Sequence, residues 1–213
     1  NVDDLIAKRV EFLTAYQNAA YAARYKAFVD KVRSAEAEIA FSRSLTRPDA
    51  AQRPSTKLTE AVARYLFKLM AYKDEYEVAR LHADPAFREK LAAQFDGDLR
   101  VYYHLAPPAL ARRDSHGEPV KRRFGPSMGT AFRALAKLKF LRGTVLDPFG
   151  RTAERRTERA LIGEYRACID ELLGGLDAGS LGRAVEIASL PPKRSIATPT
   201  WAQNKLDAQA LKL

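Results

Sequence analysis

Apolar residues recur at intervals of three and four along most of this chain, which is the spacing of one buried face on a helix. Leu5, Phe12, Tyr16, Ala19 and Ala23 mark such a face after Asp3 or Asp4, either of which suits a helix cap, and the pattern predicts one long first helix reaching towards Ile39. Residues 41–56 lose the periodicity and collect Pro48, Pro54 and several Ser, Thr and Arg, so a linker is expected there. Val62, Tyr65, Leu66, Leu69, Tyr72 and Tyr76 then predict a dense helix over 62–81, with Arg64, Lys68, Asp74, Glu75, Glu77 and Arg80 bringing charge into the same element. Asp84-Pro85 is a cap and first-turn pair for a shorter helix to about Phe95, and Asp96-Gly97-Asp98 turns the chain.

The middle of the chain changes character. Leu99 to Leu105 is rich in strand formers, and the runs 109–113 and 120–124 flank a turn-rich connector over 114–119. A small β-hairpin appendage around 99–124 is therefore expected on an otherwise helical body. Helix resumes near Ser127, with Met128, Phe132, Leu135 and Leu138 on one face, and ends near Gly143. Asp147-Pro-Phe-Gly150 makes a turn before a long helix to about Leu173, whose stripe is Leu161, Tyr165, Cys168 and Leu172. Gly174-Gly175 stops it, a last helix spans about 179–190, and Pro191-Pro192 terminates that. The predicted class is mainly α: a bundle-like helical module over 1–190, followed by a tail over 191–213.

Charge alters the picture more than composition does. With 36 Lys and Arg against 26 Asp and Glu in 213 residues, the net charge is +10, a field that attracts anions without saying which. Nucleic acid, an acidic protein and an acidic face of neighbouring domains all qualify. The aromatics stand at helical core spacing rather than along a strand as a stacking platform, and zinc-finger, RNP and Gly-rich recognition patterns are missing from the sequence, which argues against nucleic acid. No run approaches the roughly 20 consecutive apolar residues that span a bilayer. A single cysteine, Cys168, cannot form an internal disulfide and fits a cytoplasmic setting. Beginning at Asn1 without an initiator methionine, the chain reads as a fragment of something larger.

Candidate chemistry is sparse. Asp96-Gly97-Asp98 lacks the downstream Asn pair of a magnesium-diphosphate motif, and neither Gly-x-x-x-x-Gly-Lys-Ser/Thr nor Gly-x-Gly-x-x-Gly occurs. His82, His104 and His116 have no second ligand at a metal spacing. Asp114-Ser115-His116 sets triad residue types side by side, whereas a triad must converge from separate elements, so it reads as a surface turn. Asp74 and Glu77 share a helical face, but Lys73 and Arg80 stand where they can neutralise it. On an ideal helix Arg151, Arg155, Arg159 and Arg166 fall within an arc of roughly 80°. This guanidinium stripe, and a second group of Arg112, Arg113, Lys121, Arg122 and Arg123, are candidate docking patches for carboxylate or phosphate.

Three strings, Tyr72-Lys73-Asp74-Glu75-Tyr76 within the 62–81 segment, His104-Leu-Ala-Pro-Pro108, and Leu146-Asp-Pro-Phe-Gly-Arg-Thr-Ala-Glu-Arg-Arg156, occur in this order. Together they closely resemble the carboxy-terminal helical module of the fused indolepyruvate ferredoxin oxidoreductase family, a branch of the 2-oxoacid:acceptor oxidoreductases. The resemblance covers about Val2 to Pro191; beyond it the chain reads Lys193-Arg-Ser-Ile-Ala-Thr-Pro-Thr-Trp201 where family members continue differently. It implies a parent enzyme that uses thiamine diphosphate, magnesium and an iron-sulfur cluster to convert an arylpyruvate to acyl-CoA, CO2 and reduced ferredoxin. Those cofactors are expected elsewhere in the parent, with no catalytic, cofactor-binding or metal-binding residue in this segment. The expected partners are other domains of the same polypeptide, in an oligomeric parent, with ferredoxin or coenzyme A contact possible at the basic patches. Tyr72, Lys73, Asp74, Glu75, Tyr76 and His104 are motif residues without an assigned role. The alternative is an independent basic helical module that binds an acidic protein or nucleic acid.

Overall fold

The computed structural model describes residues 1–46, 55–95, 97, 100–106 and 120–190. It is mainly helical with one short antiparallel strand pair, as the hydrophobic pattern predicts. The tail over 191–213, Arg112, Arg113, the Asp114-Ser115-His116 turn and residues 47–54 of the 41–56 segment lie outside those residues. The chain divides into two compact units, one of Asn1–Tyr72 with Asp147–Leu213 and one of Lys73–Leu146.

The first unit contains α1 (Val2–Tyr16), α2 (Ala19–Thr46), α3 (Lys57–Met70), α7 (Ala153–Gly174) and α8 (Leu181–Ser189). Two helices stand where one long first helix is expected. Asn1 caps α1 by accepting from the Asp3 amide at 3.0 Å, so neither Asp3 nor Asp4 is the cap. The chain then breaks at Gln17-Asn18, and Asn18 Oδ1 accepts the Tyr21 amide at 2.8 Å to start α2. That restart resets the helical phase. Ala19 and Ala23, expected on the buried face, are exposed, while Ala22, Tyr25, Phe28, Val29 and Val32 are buried. A further correction concerns 41–56: α2 continues to Thr46, so the first residues of the expected linker are helical, while α3 begins at Lys57, directly after it.

Helix α3 is the core of this unit, with α1, α2, α7 and α8 all packed against it. Leu58, Val62, Leu66 and Met70 are buried along its length. Its ends are satisfied by side chains from elsewhere. Thr56 makes no side-chain cap bond at the amino end. Instead Glu36 of α2, buried at 2% exposure, accepts from the amides of Leu58 and Thr59 at 3.1 and 2.9 Å and from the Thr59 hydroxyl at 2.7 Å. A carboxylate there also meets the positive end of the helix dipole. At the other end the phenols of Tyr21 and Tyr16 donate to the carbonyls of Met70 and Tyr72 at 3.0 and 2.9 Å, which a helix terminus otherwise leaves without partners. Tyr25 donates to Ala63 O at 3.0 Å, and burial pushes its phenol up to about 12 despite the opposing Arg9 charge. Tyr165 of α7 serves α8 in the same way, donating to Ala188 O at 2.9 Å, and burial raises its pKa as well.

The second unit contains α4 (Glu75–Ala83), α5 (Pro85–Gln94), β1 (Tyr103–Leu105), β2 (Arg122–Phe124), α6 (Met128–Lys137) and a 3-10 turn over Leu138–Leu141. The helix expected over 62–81 is thus two helices, interrupted between Ala71 and Asp74. Asp74 has an extended backbone and caps α4 through the Glu77 amide at 2.8 Å, so the polar residue inside the motif begins a new helix. Asp84 caps α5 with Pro85 in its first turn, as expected. The strands pair with Tyr103 opposite Phe124, His104 opposite Arg123 and Leu105 opposite Arg122. Tyr103 and Phe132 meet edge to face at 5.1 Å, and with Ala79 they form the core of this unit.

Candidate docking surface

The motif residues Tyr72 to Tyr76 have internal tasks. Tyr72 is buried and its ring meets that of Tyr16 edge-on at 6.2 Å. Asp74, at 3% exposure, receives Arg142 Nε and Nη2 at 2.5 and 2.8 Å while it caps α4. A bidentate Asp–Arg pair in a site this dry is held by geometry as much as by charge. The Arg142 guanidinium also lies 5.6 Å from the centre of the buried Tyr76 ring. Glu77 is buried and takes both of its oxygens to Arg80 at 2.8 Å, which is the neutralisation expected from the sequence. Lys73 is exposed and Glu75 half-buried. Arg142, sixty-eight residues from Asp74, has no signal in the sequence that assigns it this partner.

His104 is exposed on β1, because the strand's alternation buries Tyr103 instead. His82 is the packed one, stacked on Phe132 at 5.0 Å and edge-on to Tyr103 at 5.3 Å. Burial, with the Lys73 charge second, holds its pKa below the ordinary 6.5.

The arginine stripe of α7 faces largely inward. Arg155 pairs with the buried Glu158 at 2.7 Å. Arg159 donates to Gly150 O at 2.6 Å and Arg166 lies 4.8 Å from the Phe28 ring centre. All three are half-buried, and only Arg151 of the four is exposed. The 147–150 turn is closed just as tightly, since buried Asp147 accepts the Phe149 amide at 3.1 Å. Guanidiniums at three of the four positions thus have internal surroundings already.

The second basic group is different. Lys121, Arg122 and Arg123 are all exposed, and Arg123 is positioned over Tyr102 at 4.9 Å. From Val120 to Leu146 the chain contains Lys121, Arg122, Arg123, Arg133, Lys137, Lys139 and Arg142 and neither Asp nor Glu. Arg133 and Lys137 are exposed one turn apart on α6. Lys139 is half-buried, and burial followed by the like charges of Arg80 and Arg142 lowers its pKa. Within this basic run stand five exposed large apolar side chains, Val120 at 44%, Leu138 at 42%, Phe140 at 62%, Val145 at 84% and Leu146 at 70% exposure. The sequence reading missed this apolar cluster. Its one visible signal is the aperiodic run Phe140 to Leu146 after the helical pattern ends.

One cysteine cannot supply the thiolates of an iron-sulfur cluster, and among the described residues no three of His, Cys, Asp and Glu converge as a metal site. Among the described residues no helix is long and apolar enough to cross a membrane.

A family model matches residues 2–195. The chain belongs to DUF6537, a family of unknown function. No curated protein and no solved structure matches it. The DUF6537 match contains the whole second unit, most of the first, all three motif strings and the whole of the 120–146 run, and it ends at Ser195, just past Pro191-Pro192.

Proposed function

We propose that this chain is a noncatalytic structural and docking module of a large 2-oxoacid:ferredoxin oxidoreductase, one that uses thiamine diphosphate and an iron-sulfur cluster carried elsewhere in its polypeptide. Its parent would act in the cytoplasm on indolepyruvate or another arylpyruvate. The reading rests on the resemblance of the three motif strings, and one observation supports the noncatalytic role within it. Two of the four carboxylates in those motifs are committed inside the fold, Asp74 to a helix cap and Arg142, Asp147 to the turn it closes. Such groups hold shape. The exposed basic and apolar side chains of the 120–146 segment suit docking.

The alternative, an independent module binding an acidic protein or nucleic acid, draws on the same basic surface. Polypeptide size separates the two. An antibody raised against this chain should detect a native polypeptide far larger than 23.8 kDa, and that polypeptide should oxidise arylpyruvates in a coenzyme A-dependent reaction. A native band at 23.8 kDa would refute the fused enzyme.

A further inference from the structure

We infer that the 120–146 segment docks onto an acidic protein face with an apolar centre, carried by another domain of the longer polypeptide; this rests on the reading that such a polypeptide exists. Charge and apolarity occur together here in a way that selects among partners. The segment has no carboxylate of its own, and Lys121, Arg122, Arg123, Arg133 and Lys137 are exposed around it. A second copy of the chain presents the same sign and is repelled.

Nucleic acid would satisfy the cations but gives nothing to Phe140, Val145 and Leu146, each more than half exposed. An anionic bilayer would welcome both, yet the usual device is a helix with its apolar face turned to lipid. In α6 that face is already in the core, where Phe132 and Gly129 are buried and Met128 and Leu135 pack. Leu138, Phe140, Val145 and Leu146 lie on a 3-10 turn and the loop after it rather than along a helical stripe. Exposed apolar side chains in a segment whose other exposed groups are arginine and lysine match the composition of a protein interface better than that of a lipid-facing helix. Two of the cations are partly pre-set, since Arg123 rests on Tyr102 and Arg133 Nη2 donates to Thr130 Oγ1 at 3.0 Å, so these two lose less side-chain freedom on binding.

Zero-length carbodiimide coupling of the native polypeptide tests this directly, since it joins a lysine amine to a carboxylate only when the two are in contact. Peptide mapping should find Lys121 or Lys137 linked to an Asp or Glu outside residues 1–213. The double substitution R133E/K137E should lower the Lys121 link by about tenfold, the ratio that 1.4 kcal/mol represents. Phe140→Asp, at an exposed position that leaves the fold intact, should do the same. Links confined to residues 1–213 in a polypeptide much larger than 23.8 kDa would overturn the inference and leave the proposed function standing. A native polypeptide of 23.8 kDa would remove both. Binding of the native polypeptide to phosphatidylserine vesicles, or to single-stranded DNA, that Phe140→Asp abolishes would overturn the inference in favour of lipid or nucleic acid.

Discussion

Glu36→Ala is the sharpest test of how the first unit is held together. The Glu36 carboxylate accepts three hydrogen bonds, at 3.1, 2.9 and 2.7 Å, from Leu58 and Thr59, and both of those residues are fully buried. Truncation leaves two amides and a hydroxyl without an acceptor. Each buried donor stranded in this way costs roughly 1–3 kcal/mol. The loss of a helix cap alone costs roughly 0.5–2 kcal/mol. These terms overlap, because the amide bonds are the cap, and the hydroxyl can rotate towards another acceptor. The expected destabilisation is therefore about 3–5 kcal/mol, a large part of the roughly 5–15 kcal/mol that stabilises a typical domain. Glu36→Gln keeps one acceptor oxygen and turns an NH2 towards a donor, so it should fall about halfway. Urea unfolding followed by far-UV circular dichroism gives the sizes, and hydrogen exchange at the Leu58 and Thr59 amides gives the location. Glu38→Ala, at an exposed position on the same helix, is the control and should stay within about 0.5 kcal/mol of the parent. A Glu36→Ala loss below about 1 kcal/mol, with unchanged exchange at Leu58 and Thr59, would refute the capping account.

Other perturbations follow from the same geometry. Asp74→Asn should cost about 3–5 kcal/mol by leaving the Arg142 guanidinium buried without a counter-charge, whereas adding Arg142→Met should recover much of it; the cycle of Asp74→Asn, Arg142→Met and the double variant by urea unfolding measures the coupling. Gly150→Ala would place a Cβ 2.4 Å from Asp147 Oδ2 and 3.1 Å from Arg159 Nη1, so the turn must open, and the thermal midpoint should drop while Gly163→Ala, with open space around it, leaves the midpoint unchanged or higher. His82 has a lowered folded pKa, so the unfolded chain binds its proton first. The stability of the second unit due to neutral His82 is thus present above pH 6.5 and lost as pH falls through and below that value. His82→Phe should flatten the fall in thermal midpoint between about pH 7 and 5, and an unchanged slope would assign that fall to other groups.

Much of this fold is legible in the sequence, and the illegible parts share one cause. The 3.6-residue period determined that α3, α6 and α7 exist and most of the face that each buries, because a helix with an apolar stripe has few other stable fates; Leu138, expected on the α6 face, is instead exposed on the 3-10 turn that ends it. Local signals fixed the Asp84-Pro85 start of α5 and the strand character around Tyr103, since caps and β-formers act within a few residues. The periodicity misled where a polar residue inside an apolar run could be either a helix surface position or a cap: Asn18 and Asp74 are caps, and each divides an expected helix in two. Among candidate sites, Glu77 with Arg80 could be read from spacing, as could the charge of Lys121, Arg122 and Arg123. Tertiary structure alone decided that Glu36 caps α3, that Asp74 receives Arg142, and that Arg155, Arg159 and Arg166 turn inward while Phe140, Val145 and Leu146 turn out. Periodicity and capping act over one or two helical turns, whereas the partner of a buried carboxylate is set by which distant segment the packing brings within about 3 Å.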